Sequence, residues 1–434
     1  MQRVGVRTVG RNTRRGAAVA AALAVLTGLA ACTSGSGGTA GSSAPGSAGN
    51  SAGASGSSAP GSSAPASSAD ASEASISVNA VGGVTKANPA QPVTVTVADG
   101  TLDSVQLLNP AGKTVKGAVA GDTWRTAEPL GYSKTYTLTA KAKDSDGAEV
   151  VKTEKITTLT PDNMTQPYFN TVNGTSMDNG ATYGVGMVSM VYFDEPIPDK
   201  AAAEQAMTVT TTPKVEGAWY WQDDQRALWR PKAYYPENTK VTINVKVYGK
   251  DLGKGLYGQS DQSTSFTVGQ KRISIADAKT HRVKVYFDDK LVKDYPTSMG
   301  RGGYVQNGKI ALWTPPGTYT VITHENPANM SSSSYGLDAN GPDGYSNLIV
   351  PWATKISTDG IYLHELNSTA YAQGKENVSH GCLNLTTSRA KWFYQHSRVG
   401  DVVTVVNSGG PKLQVWQGGA WSVPWSEWVK GGAK

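Results

Sequence analysis

The chain has 434 residues, with 40 Lys+Arg against 34 Asp+Glu for a formal charge of +6, and only two cysteines. Five arginines (Arg3, Arg7, Arg11, Arg14, Arg15) and no acidic residue fall within residues 1–31, so the remainder balances at 35 against 34, or +1. A nearly neutral body excludes the clustered basic footprint of a nucleic-acid binder, and two cysteines exclude a disulfide framework.

Residues 1–31 place those arginines before an apolar run from Gly16 to Ala31. That order is an export signal, too short and alanine-rich for a good membrane span. The run ends in Leu29-Ala30-Ala31-Cys32, which resembles the bacterial lipobox and implies cleavage before Cys32 and its lipidation. The expected location is the outer face of the cytoplasmic membrane, held by a lipid anchor; Arg14–Arg15 leaves twin-arginine export open beside the general route. Residues 32–75 are almost wholly Ser, Gly, Ala and Pro. Such a stretch cannot bury enough apolar surface to offset its ordering entropy, so it reads as a flexible tether with a root-mean-square span of about 35 Å.

From Ile76 onward the pattern is mainly β. "PVTVTVADG" and "KTYTLTAKAKDSDGAEVVKTEKITTL" alternate β-branched and polar residues around Gly/Asp turns, which predicts an immunoglobulin-like sandwich over 76–160 with Trp124 in its core. "GVGMVSMVYFDEPIP", "GAWYWQDDQRALWRP" and "TKVTINVKVYG" repeat the style and predict a second sandwich over 161–268. Trp219, Trp221 and Trp229 read there as core or sheet-face residues rather than a sugar platform. A third domain, 269–408, is predicted to be β-rich, with turns at Asp277–Ala278 and Asp288–Asp289. Its one main helix lies in "TTSRAKWFYQHSRVGD", capped by Thr386, Thr387 or Ser388 and ending at Gly400. The last 26 residues, 409–434, hold Trp416, Trp421, Trp425 and Trp428 and are expected to pack back on the domain.

The stretch "NVSHGCLNL" holds the second cysteine, Cys382. A thiol beside an imidazole is a candidate nucleophile, since a nearby imidazole promotes the thiolate. The five histidines are His281, His324, His364, His380 and His396. Spacing favours His364, at the end of the strand "DGIYLHEL", as the base, and leaves His380 open. Gly381 permits an unusual dihedral, and amide N–H groups around Gly381 and Cys382 are candidates for oxyanion stabilisation, with His380 shaping the pocket. Asn384 is suited to bracing the loop. The reaction class is acyl transfer through a thioester.

His364 followed by "SHGCLN" at this separation resembles the L,D-transpeptidases, the YkuD family, in their lipoprotein form with two immunoglobulin-like domains. "TPPGTYTV", "SSSYG" and "GPDGY" resemble further motifs of that family. The resemblance implies that Cys382 attacks a peptidoglycan tetrapeptide stem, releases D-alanine, and passes the acyl group to an amine of a second stem in a 3→3 cross-link. It implies His364 as general base and acid, oriented by the backbone carbonyl of Glu365. Tyr335, Tyr345 and Met330 would wall the substrate channel, with Ser379 and Asn384 also at the substrate. No metal or cofactor is implied, and a monomer is expected. Two other readings are open: an L,D-carboxypeptidase or other cysteine wall hydrolase, and a non-catalytic wall-binding lipoprotein. Papain-like hydrolases place Cys before His, the reverse of the order here.

Overall fold

The computed structural model describes residues 73–433. The export signal, Cys32 and nearly all of the tether lie outside the described residues. Among the described residues strands make up 42% against three helices, which sets the class as mainly β.

The first sandwich packs the strands Ser75–Asn79, Thr94–Ala98, Thr123–Thr126 and Gly117–Ala120, in that sheet order, over Gly100–Leu108, Thr135–Asp144 and Glu149–Thr157. Period-two alternation turns Tyr136, Leu138, Ala140 and Ala142 inward. Trp124 is buried in this core, its indole lying where a β-carbon on Gly117 would stand. The second sandwich faces the sheet Pro167–Asn170, Ser189–Phe193, Arg226–Pro231, Gly217–Trp221 against Thr182–Tyr183, Gln262–Val268, Lys240–Val245, Met207–Thr212. Trp221 and Trp229 are in its core and Trp219 packs at the margin.

Elements of the third domain are numbered from its start. One sheet holds β1 (Arg272–Asp277), β2 (Arg282–Phe287), β3 (Lys290–Pro296), β4 (Gly317–Thr320) and β9 (Val402–Val406), in the order β3-β2-β1-β9-β4. The other holds β5 (Thr323–Glu325), β6 (Ala353–Lys355), β7 (Tyr362–Glu365) and β8 (Leu383–Leu385), in chain order across the sheet. Helix α1 (Thr387–His396) buries Ala390 and Phe393 against both. Its capping differs from expectation. Thr386 occupies the cap position without a side-chain bond, and the first free amide, Thr387 N–H, is taken by Asn367 Oδ1 at 3.2 Å. Gly400 lies beyond the helix, at φ +91°, where it meets the second sandwich: Gly184 N–H bonds Val399 O and Gly186 N–H bonds Gly400 O. A β-carbon on Gly184 would overlap the Asp401 backbone. Val402 of β9 belongs to the second sandwich's own core.

The C-terminal segment closes over this junction. Trp421, Trp425 and Trp428 surround the guanidinium of Arg230, with ring centroids at 4.6, 5.4 and 4.5 Å. Arg230 is 2% exposed, and its Nη2 donates to Val423 O at 2.7 Å. Three aromatic faces and two carbonyls, Val423 O and Pro231 O, stand in for the carboxylate a buried cation usually requires. The segment thus packs on the second sandwich as well as on the catalytic sheet.

Candidate active site

Strands β7 and β8 pair in parallel, with Leu363 opposite Leu383 and His364 opposite Asn384. Leu363, Leu383 and Leu385 enter the main core, so the period-two rule turns His364 to the other face. Cys382 immediately precedes β8 and packs on that other side, beside Tyr345, Met330 and Tyr362. The register makes residues 364 and 382 diagonal neighbours on adjacent strands, roughly 7–8 Å apart at the backbone.

His364 is 3% exposed. Its Nδ1 lies 2.8 Å from the Glu365 carbonyl. A carbonyl only accepts, so Nδ1 carries the proton and Nε2 keeps a free lone pair. Burial lowers the imidazole pKa to about 4, against the opposing pull of that hydrogen bond. The Cys382 thiol is pushed up to about 12 by desolvation and further by the Asp359 charge, with the Tyr362 amide opposing. Cys382 keeps some surface; the cleft walls, more than complete enclosure, desolvate it. Its Sγ–H points to the Gly360 carbonyl at 3.5 Å. Burial thus favours a neutral thiol beside a neutral imidazole over a preformed ion pair. Removing both groups from water penalises both charged forms.

The loop before the thiol is held internally. Ser379 is buried; its Oγ donates to Cys382 O at 2.6 Å and accepts the Gly381 N–H at 3.1 Å. Ser379 thus braces the turn and does not line the cleft. The same bond commits the Gly381 amide, which the sequence offered for oxyanion binding. Thr314 Oγ1 donates to Gly381 O at 2.7 Å. Gly381 has φ +145°, yet a β-carbon there would find only ordinary contacts, so backbone freedom rather than space calls for glycine. Asn384 is 1% exposed, and neither amide atom of its side chain has a partner among the described residues. It lies behind the cleft, level with His364.

The cleft over Cys382 measures about 280 Å³ and is walled by Tyr335, Tyr345, His380 and Trp313. His380 stacks edge-on to Tyr345 with centroids 5.4 Å apart. Burial, then the neighbouring Arg301 charge, lower its pKa. Both tyrosines belong to an excursion between the paired strands Ala328–Met330 and Leu348–Val350, tied to the rest of the domain by the Arg301–Asp343 ion pair. Met330 lines a smaller cavity of about 100 Å³ on the far side of Gly360 and Tyr345, not the cleft itself. Sequence reasoning missed Trp313, Asp359, Gly360 and the cleft residues Lys412, Trp416 and Gln417 from the C-terminal segment. None carries a local motif; their contact with the site is made only by the fold.

A half-buried Cys beside a buried His of the neighbouring strand, under an aromatic lid and behind two β-sandwiches, defines a cysteine acyltransferase carried on β modules. Residues 271–405 match the YkuD family, the L,D-transpeptidase catalytic domain, and residues 84–251 match a bacterial Ig domain family. The chain is 40% identical to L,D-transpeptidase 2 of Mycobacterium tuberculosis over 365 residues, 83% of this chain and 84% of that one. It is 37% identical to L,D-transpeptidase 5 of the same species over 355 residues, 79% and 73% of the two. The chain belongs to the L,D-transpeptidase family, acyltransferases with a cysteine nucleophile.

Proposed function

We propose that the protein forms 3→3 cross-links between peptidoglycan stem peptides, with Cys382 as nucleophile and His364 as general base and acid. The Cys382 S–H proton passes to His364 Nε2 as sulfur attacks the carbonyl of the third stem residue. The tetrahedral intermediate collapses, the C–N bond to D-alanine breaks, and His364 returns its proton to the leaving amine. A side-chain amine of a second stem then attacks the thioester, gives a proton to His364, and the thiol leaves with it. Because both groups rest neutral, the proton moves as the S–C bond forms. The Glu365 carbonyl supports the imidazolium that appears transiently.

The observation that carries this reading is the Nδ1 bond of His364 to Glu365 O. It reserves the basic nitrogen on a buried ring one ladder diagonal from the only cysteine among the described residues. Tyr335 and Tyr345 wall the donor's channel, and His380 supports Tyr345 from below. The anchor through Cys32 and work from the outer face of the membrane belong to the same proposal, supported by the Leu29–Cys32 signature.

The test is mass spectrometry of the protein incubated with disaccharide-tetrapeptide. Dimers lacking one D-alanine are expected, and none with Cys382→Ala. Tripeptides without dimers would instead assign an L,D-carboxypeptidase, with water in place of the amine. Dimers persisting in Cys382→Ala would end the nucleophile assignment.

A further inference from the structure

The nucleophile is linked to the C-terminal segment through a single turn. Residues Ser357–Ile361 connect β6 to β7, and Ile356 N–H bonds Ile361 O across it. Ser357 Oγ accepts the Ile361 N–H at 2.8 Å and donates to Asp359 Oδ1 at 2.5 Å. Gly360, at φ +100°, holds the tip, and its carbonyl receives the Cys382 thiol.

The turn is also tied from outside. Gln417 Nε2 donates to Asp359 Oδ2 at 2.6 Å. The Gln417 backbone carbonyl takes the Thr358 N–H at 3.1 Å, and the Trp416 carbonyl takes the Thr358 hydroxyl at 2.7 Å. Gln417 is itself buried and fixed, its Oε1 accepting the Gln414 N–H at 2.8 Å. Three hydrogen bonds from residues 416–417 therefore fix the turn whose tip meets the sulfur, and both Asp359 oxygens are used in holding it. Surface turns are ordinarily mobile; this one is anchored by a segment more than fifty residues away in the chain.

We propose that Asp359 and Gln417 are positioning residues for acyl transfer: the docked C-terminal segment fixes the Gly360 carbonyl against the Cys382 thiol and so sets the orientation from which sulfur is delivered to His364. This rests on the reading of Cys382 as nucleophile. Neither residue touches the reacting atoms. Asp359 has a second effect, because its carboxylate opposes ionisation of the thiol. The other titratable groups facing the sulfur are Tyr362 and His364 from β7, His380 from its own loop, and Tyr335 and Tyr345 from the lid. Lys309 and Lys412 line the cleft as well. Among the described residues Asp359 is the one carboxylate lining the cleft.

Two variants of the intact chain test the proposal. Asp359→Asn keeps the shape and an acceptor for Gln417 but removes the charge. The pH midpoint for alkylation of Cys382 by iodoacetamide is expected to fall by about one unit. Gln417→Ala removes the side-chain tie to Asp359 and leaves the two backbone-carbonyl bonds to Thr358, and kcat for transfer is expected to fall roughly tenfold with KM within about twofold, as misplacement of a reacting group does. An unchanged alkylation profile in Asp359→Asn, or wild-type kcat in Gln417→Ala, overturns the proposal. Alkylation needs no peptidoglycan, so Asp359→Asn reads the turn even if Gln417→Ala folds poorly. Cys382→Ala run in parallel separates the two failures. Transfer surviving in that variant sinks the nucleophile reading, whereas transfer lost there with unaltered Asp359→Asn and Gln417→Ala sinks only the positioning role.

Discussion

The two sandwiches are joined to their neighbours by different chemistry. The first meets the second through polar contacts at a few points. Tyr132 Oη accepts the Gly249 N–H at 2.6 Å and donates to Gly258 O at 2.8 Å. Asn88 Nδ2 donates to Gly249 O at 2.8 Å, and Tyr132 packs on Tyr248 with centroids 4.8 Å apart. The second shares a core with the catalytic domain: Val402 is buried among its valines, its Gly184 and Gly186 lie against Gly400 with no room for side chains, and the Trp421–Trp428 segment wraps Arg230. Hydrogen bonds exposed to competition from water each give a small net stabilisation, whereas shared apolar burial and a caged cation are lost together. The second sandwich is thus energetically part of the enzyme unit, and the first is an addition to it.

The contrast can be broken most severely at Trp428. It is 0% exposed, stacks on Tyr220 at 4.7 Å and donates to Ala218 O. Trp428→Ala should cost about 3–5 kcal/mol in urea denaturation and lower transfer with it, because the freed segment also releases the turn at Asp359. Stability within about 1 kcal/mol of wild type would show that the caged interface is ornamental.

Asp401 gives a pH handle on the same interface. Burial pushes its carboxyl up to about 7, against opposing pulls from the Arg398 amide and the Arg272 and Arg398 charges, and its Oδ1 has no partner. The folded state therefore keeps a proton that the unfolded chain loses near the ordinary value of 3.8. The stabilisation is complete below about pH 4 and is lost as pH rises through 7. Relative to Asp401→Asn, the wild type should lose up to about 4 kcal/mol between pH 4 and 8, read by urea denaturation at both pH values. A parallel pH dependence in the two proteins refutes it. His364 has the opposite sign: its neutral ring costs the fold stability as pH falls from 6.5 to 4, and comparing the two proteins at each pH cancels that contribution.

The smallest effect belongs to the first interface. Tyr132→Phe removes two hydrogen bonds and should cost about 1 kcal/mol with transfer unchanged. A fall in kcat there would place the first sandwich inside the enzyme unit after all.

The sequence made some of this legible. Alternating Val/Thr runs mark the strands because one face of each is buried, whereas the His364–Cys382 pair is legible through the resemblance of residues 379–384 to the family motif, spacing alone favouring His364 without settling it. The lid tyrosines are legible in the same way, through the resemblance of "SSSYG" and "GPDGY" to motifs of the family. The protonation state of the pair could not be read, since it depends on how much water the lid and Gly360 exclude. Nor could the partners of the last 26 residues. Four tryptophans signal docking without naming Arg230, and Gln417 is an unremarkable glutamine until the fold sets it against Asp359. Asn367 capping α1 in place of Thr386 is another long-range bond that no local pattern announces.

The resting protonation of Cys382 has a chemical corollary. Peroxides and other small oxidants attack thiolates far faster than thiols. A sulfur that ionises only when a carbonyl is already in place offers such reagents little to react with. The same burial that makes the nucleophile wait for substrate would thereby slow its oxidation.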